Sequence, residues 1–407
     1  MKKVGIIGAG ASGLYAAINL KNQNTDVTII EKNDMIGKKI LMTGNGRCNI
    51  TNAKYYDEFL ENIVTNQKFL YSSFNLHDNY ASMDFFQSKG LELVTEGYHR
   101  VFPKSQKSSD VIKFFEDEII KNNIKLVTNA NVLSIKKDEK FEVKTARKDY
   151  EFDYLIIATG GLSYPNTGST GDGYKFAKYF GHKVTKTIPS LVPIFFKDKD
   201  LVNIKALSLE NIDIKVATNE GDFLQTGPVL LTKNFISGPS ILSISSFAVG
   251  KDIRNIYLNL SELNQNELDQ NLINIFDRNP NKDISNVLDP ILPNALVPVV
   301  IKRAGIKLDK KSNQIRKEER TRIVKNIKNF NLNFEKFGGF NTAVITKGGV
   351  DVRDIDPKTM ESKLVSDLYF VGEVIDLDAL TGGFNLQIAF TSAFAAASAI
   401  KEKIWHI

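Results

Sequence analysis

Apolar positions along this chain of 407 residues fall into two rhythms. Short unbroken runs at Val4-Gly5-Ile6-Ile7, Val27-Thr28-Ile29-Ile30, Tyr154-Leu155-Ile156-Ile157 and Leu368-Tyr369-Phe370-Val371 have no helical period and end at glycine, threonine or an acid. Runs of that kind predict strands covered on both faces, as in a parallel sheet. The stretch Leu14–Leu20, between the first two runs, reads as a helix. Residues 124–150 alternate around Asn129-Ala130-Asn131 and Lys137-Asp138-Glu139, predicting a β-meander. Alternation returns within 191–258, for example at Ile212-Asp213-Ile214-Lys215-Val216, and again at Ile256–Leu260. From about Ser261 to Phe334 the pattern turns helical, and an alanine-rich helix is predicted from Thr381-Gly382-Gly383-Phe384-Asn385 to about Ile400. Strand and helix alternate at both ends of the chain, so the fold class is α/β of Rossmann type.

The first strand runs into Gly8-Ala9-Gly10-Ala11-Ser12-Gly13, a GxGxxG array, and the second ends at Glu31. In that context Gly8 permits the tight turn, Gly10 lets a pyrophosphate approach the backbone, and Gly13 lets helix and strand pack closely. The amides of Ala11 and Ser12 open the helix, whose positive end suits phosphate. Glu31, about 20 residues past the glycines, is placed to accept hydrogen bonds from an adenosine ribose. Strand, turn, helix, strand and acid in order predict a dinucleotide site.

Two downstream features predict FAD over a nicotinamide. The third strand ends in Ala158-Thr159-Gly160-Gly161 after the meander, and the fourth ends in Gly372-Glu373, set to approach the ribityl chain and pyrophosphate. The Gly382-Gly383-Phe384-Asn385 turn then starts a helix whose amino terminus can stabilise negative charge on a reduced flavin pyrimidine. The predicted cofactor set also takes in Lys32 and Val132. A second glycine fingerprint between strand and helix is missing, so NAD(P)H is expected to act as a transient donor.

Composition narrows the classes further. One cysteine, Cys48, rules out an internal disulfide and points to a reducing compartment, while one cysteine and four histidines predict no metal site. Glycines at 5, 8, 10 and 13 break the leader-like apolar start, and no apolar run nears the ~18 residues of a membrane span. The expectation is a cytoplasmic protein with no membrane partner; its oligomeric state is not legible here. Net charge is +6, yet residues 301–330 hold eleven Lys or Arg against Asp309, Glu318 and Glu319. That concentration is either a solvated helical face or a docking surface for a polyanion such as ribosomal RNA.

The stretch Gly37-Lys38-Lys39-Ile40-Leu41-Met42-Thr43-Gly44-Asn45-Gly46-Arg47-Cys48-Asn49-Ile50-Thr51-Asn52 resembles the signature of the BaiN-like flavoproteins. Further segments resembling that family are Arg100-Val101-Phe102-Pro103, Thr159–Pro165, Thr167–Gly173, Thr346–Val350, Thr359–Lys363 and Thr381–Leu386. The chain departs from the family pattern at Phe235, where glycine is usual, at Thr43-Gly44-Asn45-Gly46, and at Phe384, where tyrosine is usual. The resemblance implies a glutathione-reductase-like FAD domain in two parts, 1–190 and 340–407. An inserted β part would cover 191–258 and a helical basic part 259–339.

It also implies a flavin oxidoreductase in which the signature loop faces the cofactor, which brings Lys38, Gly46, Arg47, Cys48 and Asn49 into the cofactor set. Arg47 would bind pyrophosphate or a substrate carbonyl. Cys48 would donate a proton opposite hydride transfer, or else serve as a small packed residue. His99 and Arg100 line the cleft or lie in a surface turn, and Tyr164 and Asp172 are structural or cofactor-adjacent. Three functions stay open: reduction of an activated C=C bond, with uridine in 23S ribosomal RNA preferred; oxidation of a small amine with O₂; and a non-enzymatic flavin sensor or RNA-binding module.

Overall fold

Five parallel strands form the central sheet, in the order Leu368–Phe370, Tyr154–Ile157, Lys2–Ile7, Thr25–Ile30 and Lys125–Val127. Val4, Ile6, Val27, Ile29, Leu155, Ile156 and Phe370 are fully buried, which is why these runs are continuous and not alternating. The computed structural model describes residues 1–405. The chain divides into one unit of residues 1–190 with everything from Phe340 onward, and a second unit, Leu191–Gly339.

Within the first unit the helix Ala11–Leu20 packs on the long helix Phe384–Trp405. Alanines 393, 395, 396 and 397 of the long helix and alanines 16 and 17 of its neighbour are buried, and small side chains allow two helices to approach closely. The meander Val132–Lys137, Phe141–Thr145 and Asp149–Phe152 is antiparallel, and the Phe152 ring fills the space that a side chain at position 5 would need. Gly5 is therefore fixed by packing.

A polar network crosses this apolar core. Tyr15 Oη lies 2.7 Å and Ser82 Oγ 3.1 Å from His77 Nε2, and the His77 ring stacks on Phe394 at 4.1 Å. Thr391 Oγ1 donates to the His77 carbonyl at 2.8 Å, while Gln387 Nε2 donates to Ser82 Oγ and its Oε1 accepts from Thr51 Oγ1. Burial pushes His77 down from its ordinary 6.5 to about 4. The unfolded chain thus binds more protons than the folded one between those values. Stability is full above the unfolded pKa and falls as pH drops towards the folded one, by at most about 3 kcal/mol. Urea unfolding at pH 4.5 and pH 7 should show that loss, and His77→Gln should remove this part of the acid sensitivity.

The second unit is a seven-stranded antiparallel sheet built on the hairpin Ala206–Thr218 and Gly221–Thr232. Its two edges are the consecutive strands Phe330–Leu332 and Phe334–Phe337, joined at Asn333, so the sheet curls back towards itself. Helices Pro239–Ala248, Gln265–Arg278, Val297–Arg303 and Lys317–Lys328 share one apolar core with the sheet. Phe235, the departure from the family's glycine, lies in the short strand Phe235–Ser237 with its ring 5.5 Å from Phe195. Here the chain needs no positive φ, and a side chain is accommodated.

Candidate functional site

The glycine turn has three distinct environments. A Cβ on Gly8, where φ is +107°, would sit 2.5 Å from the Ala158 carbonyl oxygen, and one on Gly13 would collide with the Gly8 carbonyl. At Gly10, by contrast, no atom lies within 4 Å of where a Cβ would be. Two glycines are therefore required by the fold, and the third keeps open space at a helix start that has no side-chain cap. The fourth strand closes in from the opposite side: a Cβ on Gly372, φ +74°, would meet Ser12 Oγ at 2.6 Å.

Glu31 is buried at the end of its strand. Its carboxylate accepts from the Ala9 N–H at 2.7 Å and from Asn33 N and Nδ2 at 2.8 and 2.7 Å. It ties the glycine turn to the second strand and keeps lone pairs for a further donor. Val132, just beyond, opens the meander and is buried. Lys32 leans away, donating to Thr170 Oγ1 and to Asp172 Oδ2 at 2.7 Å. Burial of Asp172 works against its charge, but hydrogen bonds from Lys32, Thr170 and Lys175 hold its carboxyl below the usual range. That pairing commits Lys32 to the loop, and Asp172 opens the helix Asp172–Tyr179 without capping it.

Of the two signature lysines, the inward one is Lys39. Lys38 pairs with the exposed Asp34 at 2.7 Å, whereas Lys39 Nζ donates to Glu373 Oε2 at 2.6 Å and to Ser163 Oγ. Glu373 Oε1 accepts from Ser163 Oγ at 2.6 Å and from the Thr346 N–H at 2.9 Å, and Thr346 Oγ1 accepts from the amides of Leu162 and Ser163. Gly161 sits so close that a Cβ would lie 2.5 Å from Thr346 Oγ1. The doublet Lys38-Lys39 could not tell which side chain faces in; register on the short helix Lys38–Met42 decides it.

The rest of the signature is a chain of left-handed residues: Gly44, Asn45, Gly46 and Cys48 have φ of 57°, 55°, 82° and 61°. Arg47 donates to Glu96 Oε2 and Gln106 Oε1, both at 3.0 Å, with its guanidinium 4.1 Å from the Phe102 ring centroid. Cys48 is 1% exposed, sealed by protein atoms alone, and burial pushes its thiol up to about 12. A group on the wall of an open cleft would not be covered in this way, so the geometry favours a packing role over proton donation. Thiol reagents at pH 8 should leave Cys48 unlabelled in the folded protein and label it fully in urea, which mass spectrometry would read.

At the carboxyl-terminal turn, Gly382 and Gly383 have φ of 122° and 99°, and a Cβ on Gly383 would collide with the Thr51 carbonyl. Phe384 is buried with its ring 4.9 Å from Phe59, and Asn385 Nδ2 donates to the Ala379 carbonyl at 2.8 Å. These two shape the turn; the glycine backbone is what it presents. Two members of the predicted set, Thr159 Oγ1 and Asn49 Oδ1, are buried with no hydrogen-bond partner among the described residues, as expected of atoms that await one. Gly160 completes that strand end at φ +70°. Open space at Gly10, the approach of Gly372 and these buried acceptors fit an extended dinucleotide.

The glycine turn with its acid, the meander, and the returning strand and helix define an FAD-dependent oxidoreductase of Rossmann type. Residues 2–399 match the family described as the HI0933-like protein Rossmann domain, and the chain belongs to that family, in agreement with the resemblance in its signature loop. It is 31% identical to a ribosomal RNA dihydrouridine synthase of Haemophilus influenzae, covering 98% of each chain. It is 30% identical to a 3-dehydro-bile acid delta(4,6)-reductase of Clostridium scindens, over 99% of this chain and all of that one. Among solved structures, a 3-ketosteroid delta1-dehydrogenase from Sterolibacterium denitrificans shares the fold, with a TM-score of 0.51 at 12% identity and coverage of 99% and 100% of the two chains. No helix among the described residues is long and apolar enough to cross a membrane.

Proposed function

We propose that this protein reduces uridine in ribosomal RNA to dihydrouridine, with a reduced nicotinamide as the transient electron donor. The observation that carries the reading is end-to-end similarity to ribosomal RNA dihydrouridine synthases of two organisms, at 31% and 29% identity over 98% and 96% of this chain. The bile acid reductase shares the underlying chemistry, addition of hydrogen across a C=C bond conjugated to a carbonyl. For uracil the balance is one hydride and one proton added across C5–C6, with the nicotinamide oxidised. Bound FAD supplies the two-electron relay between donor and substrate.

The chain's own residues divide the remaining work. Amides of Gly10, Ala11 and Ser12 would hold the pyrophosphate, Glu31 the adenosine ribose, and Gly372 and Glu373 the ribityl side. Lys39 and Ser163 fix the Glu373 carboxylate, and Gly382 and Gly383 present backbone at the flavin pyrimidine. Residues 191–339, inserted between the two halves of the flavin unit, are proposed to select the substrate.

Part of the basic stretch supports a polyanionic substrate. Arg303, Lys310, Lys311 and Arg320 are tied into ion pairs, and Arg322 and Lys328 donate to backbone carbonyls. Lys302, Lys307, Lys317 and Lys325 are exposed and make no side-chain hydrogen bond or ion pair among the described residues. These four, together with the exposed Arg316, are available to phosphates.

Dihydrouridine mapping by mass spectrometry in 23S ribosomal RNA, from a strain lacking the gene and its parent, tests the reading. One site should vanish in the deletion and return with the wild-type gene. Unchanged RNA would reject it and leave a small enone reductase, which the full-length similarity to the bile acid enzyme favours.

A further inference from the structure

Tyr98 is 76% exposed, yet its backbone is among the most constrained in the first unit. Tyr98 and His99 are consecutive non-glycine residues with φ of 62° and 58°. Side chains disfavour that region, and it persists only where surroundings over-determine it. They do so here. The Tyr98 carbonyl accepts from Asn52 Nδ2 at 3.1 Å, and the His99 carbonyl accepts from the Ala53 N–H at 2.7 Å. The same Asn52 Nδ2 donates to the Gly382 carbonyl at 3.0 Å. One amide therefore clamps the strained turn to the glycine turn that we assign to the flavin pyrimidine.

The side chains around this clamp alternate. The Arg100 guanidinium lies 5.7 Å from the Tyr98 ring and 5.9 Å from the Phe102 ring, whose centroid is 4.1 Å from the Arg47 guanidinium. Arg47 is neutralised by Glu96. Arg100 uses Nε on the Gly97 carbonyl at 3.0 Å and has no carboxylate partner among the described residues. An exposed ring on a fixed backbone, beside a guanidinium with no carboxylate partner, is suited to a base and its phosphate.

We propose that Tyr98 and Arg100 form the platform for the nucleotide that flanks the reduced uridine: the ring stacks on its base and the guanidinium takes its phosphate. This rests on the RNA reading above. Isolated base–ring stacks of this kind are worth about 10- to 100-fold in affinity, and a lost phosphate contact lowers the salt slope by about 1.

The test uses FAD-loaded wild type, Tyr98→Ala, Tyr98→Phe and Arg100→Ala, with 23S ribosomal RNA and dihydrouridine yield as readout. Flavin content confirms that each variant is assembled. Tyr98→Ala should raise the KM for RNA by about 10- to 100-fold with the loss carried by KM and not kcat, and Tyr98→Phe should restore it. Arg100→Ala should weaken binding and flatten its salt dependence. If the wild type acts on the RNA and Tyr98→Ala has an unaltered KM, the platform is wrong and the RNA reading stands. If Tyr98→Phe fails to restore KM in a flavin-loaded protein, stacking is not the role and the proposal falls. A wild type that forms no dihydrouridine overturns both.

Discussion

Gly10→Val is expected to give a folded protein that purifies without flavin. The three glycines of the turn look alike as letters, but only two are demanded by the fold. Gly8 has φ +107° and Gly13 stands against the Gly8 carbonyl, so replacing either distorts the polypeptide before any ligand is involved. Gly10 has φ −85° and ψ −172°, a conformation open to any residue, and free space where a Cβ would go. An isopropyl group there should intrude on the room left for pyrophosphate, and its Cβ would meet no protein atom within 4 Å. Losing close backbone contact to two phosphates at a helix start should cost about 3 kcal/mol or more, roughly a 100-fold weaker Kd. Visible absorbance of the purified protein and FAD titration by fluorescence quenching read the effect, and circular dichroism confirms the fold. Retention of a full flavin complement would mean that the pyrophosphate does not run past this turn.

Arg303→Leu should destabilise the second unit by about 3 kcal/mol, lowering its unfolding midpoint by roughly 6 to 12 °C. The Arg303 side chain is 16% exposed and makes four hydrogen bonds to three residues. Its Nε and Nη2 donate to Asp200 at 2.7 and 3.0 Å, Nη2 also to Asp198 at 3.1 Å, and Nη1 to the Asn331 carbonyl at 2.6 Å. The guanidinium also lies 4.4 Å from the Phe330 ring centroid. Asp198 in turn accepts from the Asn333 N–H and Nδ2, both at 2.7 Å, at the junction where the two sheet edges meet. Removing the arginine strands a side chain at Asp198 that is only 5% exposed. Leucine replaces the packing but not the fork, and Arg303→Lys should recover only part of the loss because one ammonium cannot serve all these acceptors. Scanning calorimetry reads the shift; Lys317→Ala, an exposed position in the same basic stretch, should stay within about 0.5 kcal/mol. Equal effects at the two positions would mean that the stretch is uniformly surface charge.

That contrast shows where reading along the chain runs out. Eleven cations between 301 and 330 are equivalent by composition. Folding sets Asp198, Asp200, Asp269, Asp283 and Glu319 against some of them and leaves others in water. Lys38 and Lys39 pose the same problem at shorter range: adjacent letters, one paired with the exposed Asp34 and one with Glu373. Cys48 was open to either role, proton donor or packed residue, because it sits in the signature loop expected to face the cofactor; that loop folds inward here and the thiol joins the apolar core. Tyr98 gave no signal at all, since neither a left-handed φ nor the shared Asn52 amide is written in local pattern.

By itself the sequence determined the parallel strands, the dinucleotide turn with its terminal acid, the returning strand and buried helix, and hence the flavin chemistry. Each of these depends on neighbours within a few positions: continuous apolar runs, glycines at fixed spacing, an acid at a strand end. Tertiary structure alone decided which lysines are committed to ion pairs, which side chain of a doublet faces the site, whether the thiol is sealed, and where an aromatic ring is held out to solvent. Those outcomes depend on partners as much as 334 residues away, as Lys39 and Glu373 are. Charge, burial and hydrogen bonding are settled by whatever the fold brings within a few ångströms, a distance that no local pattern encodes.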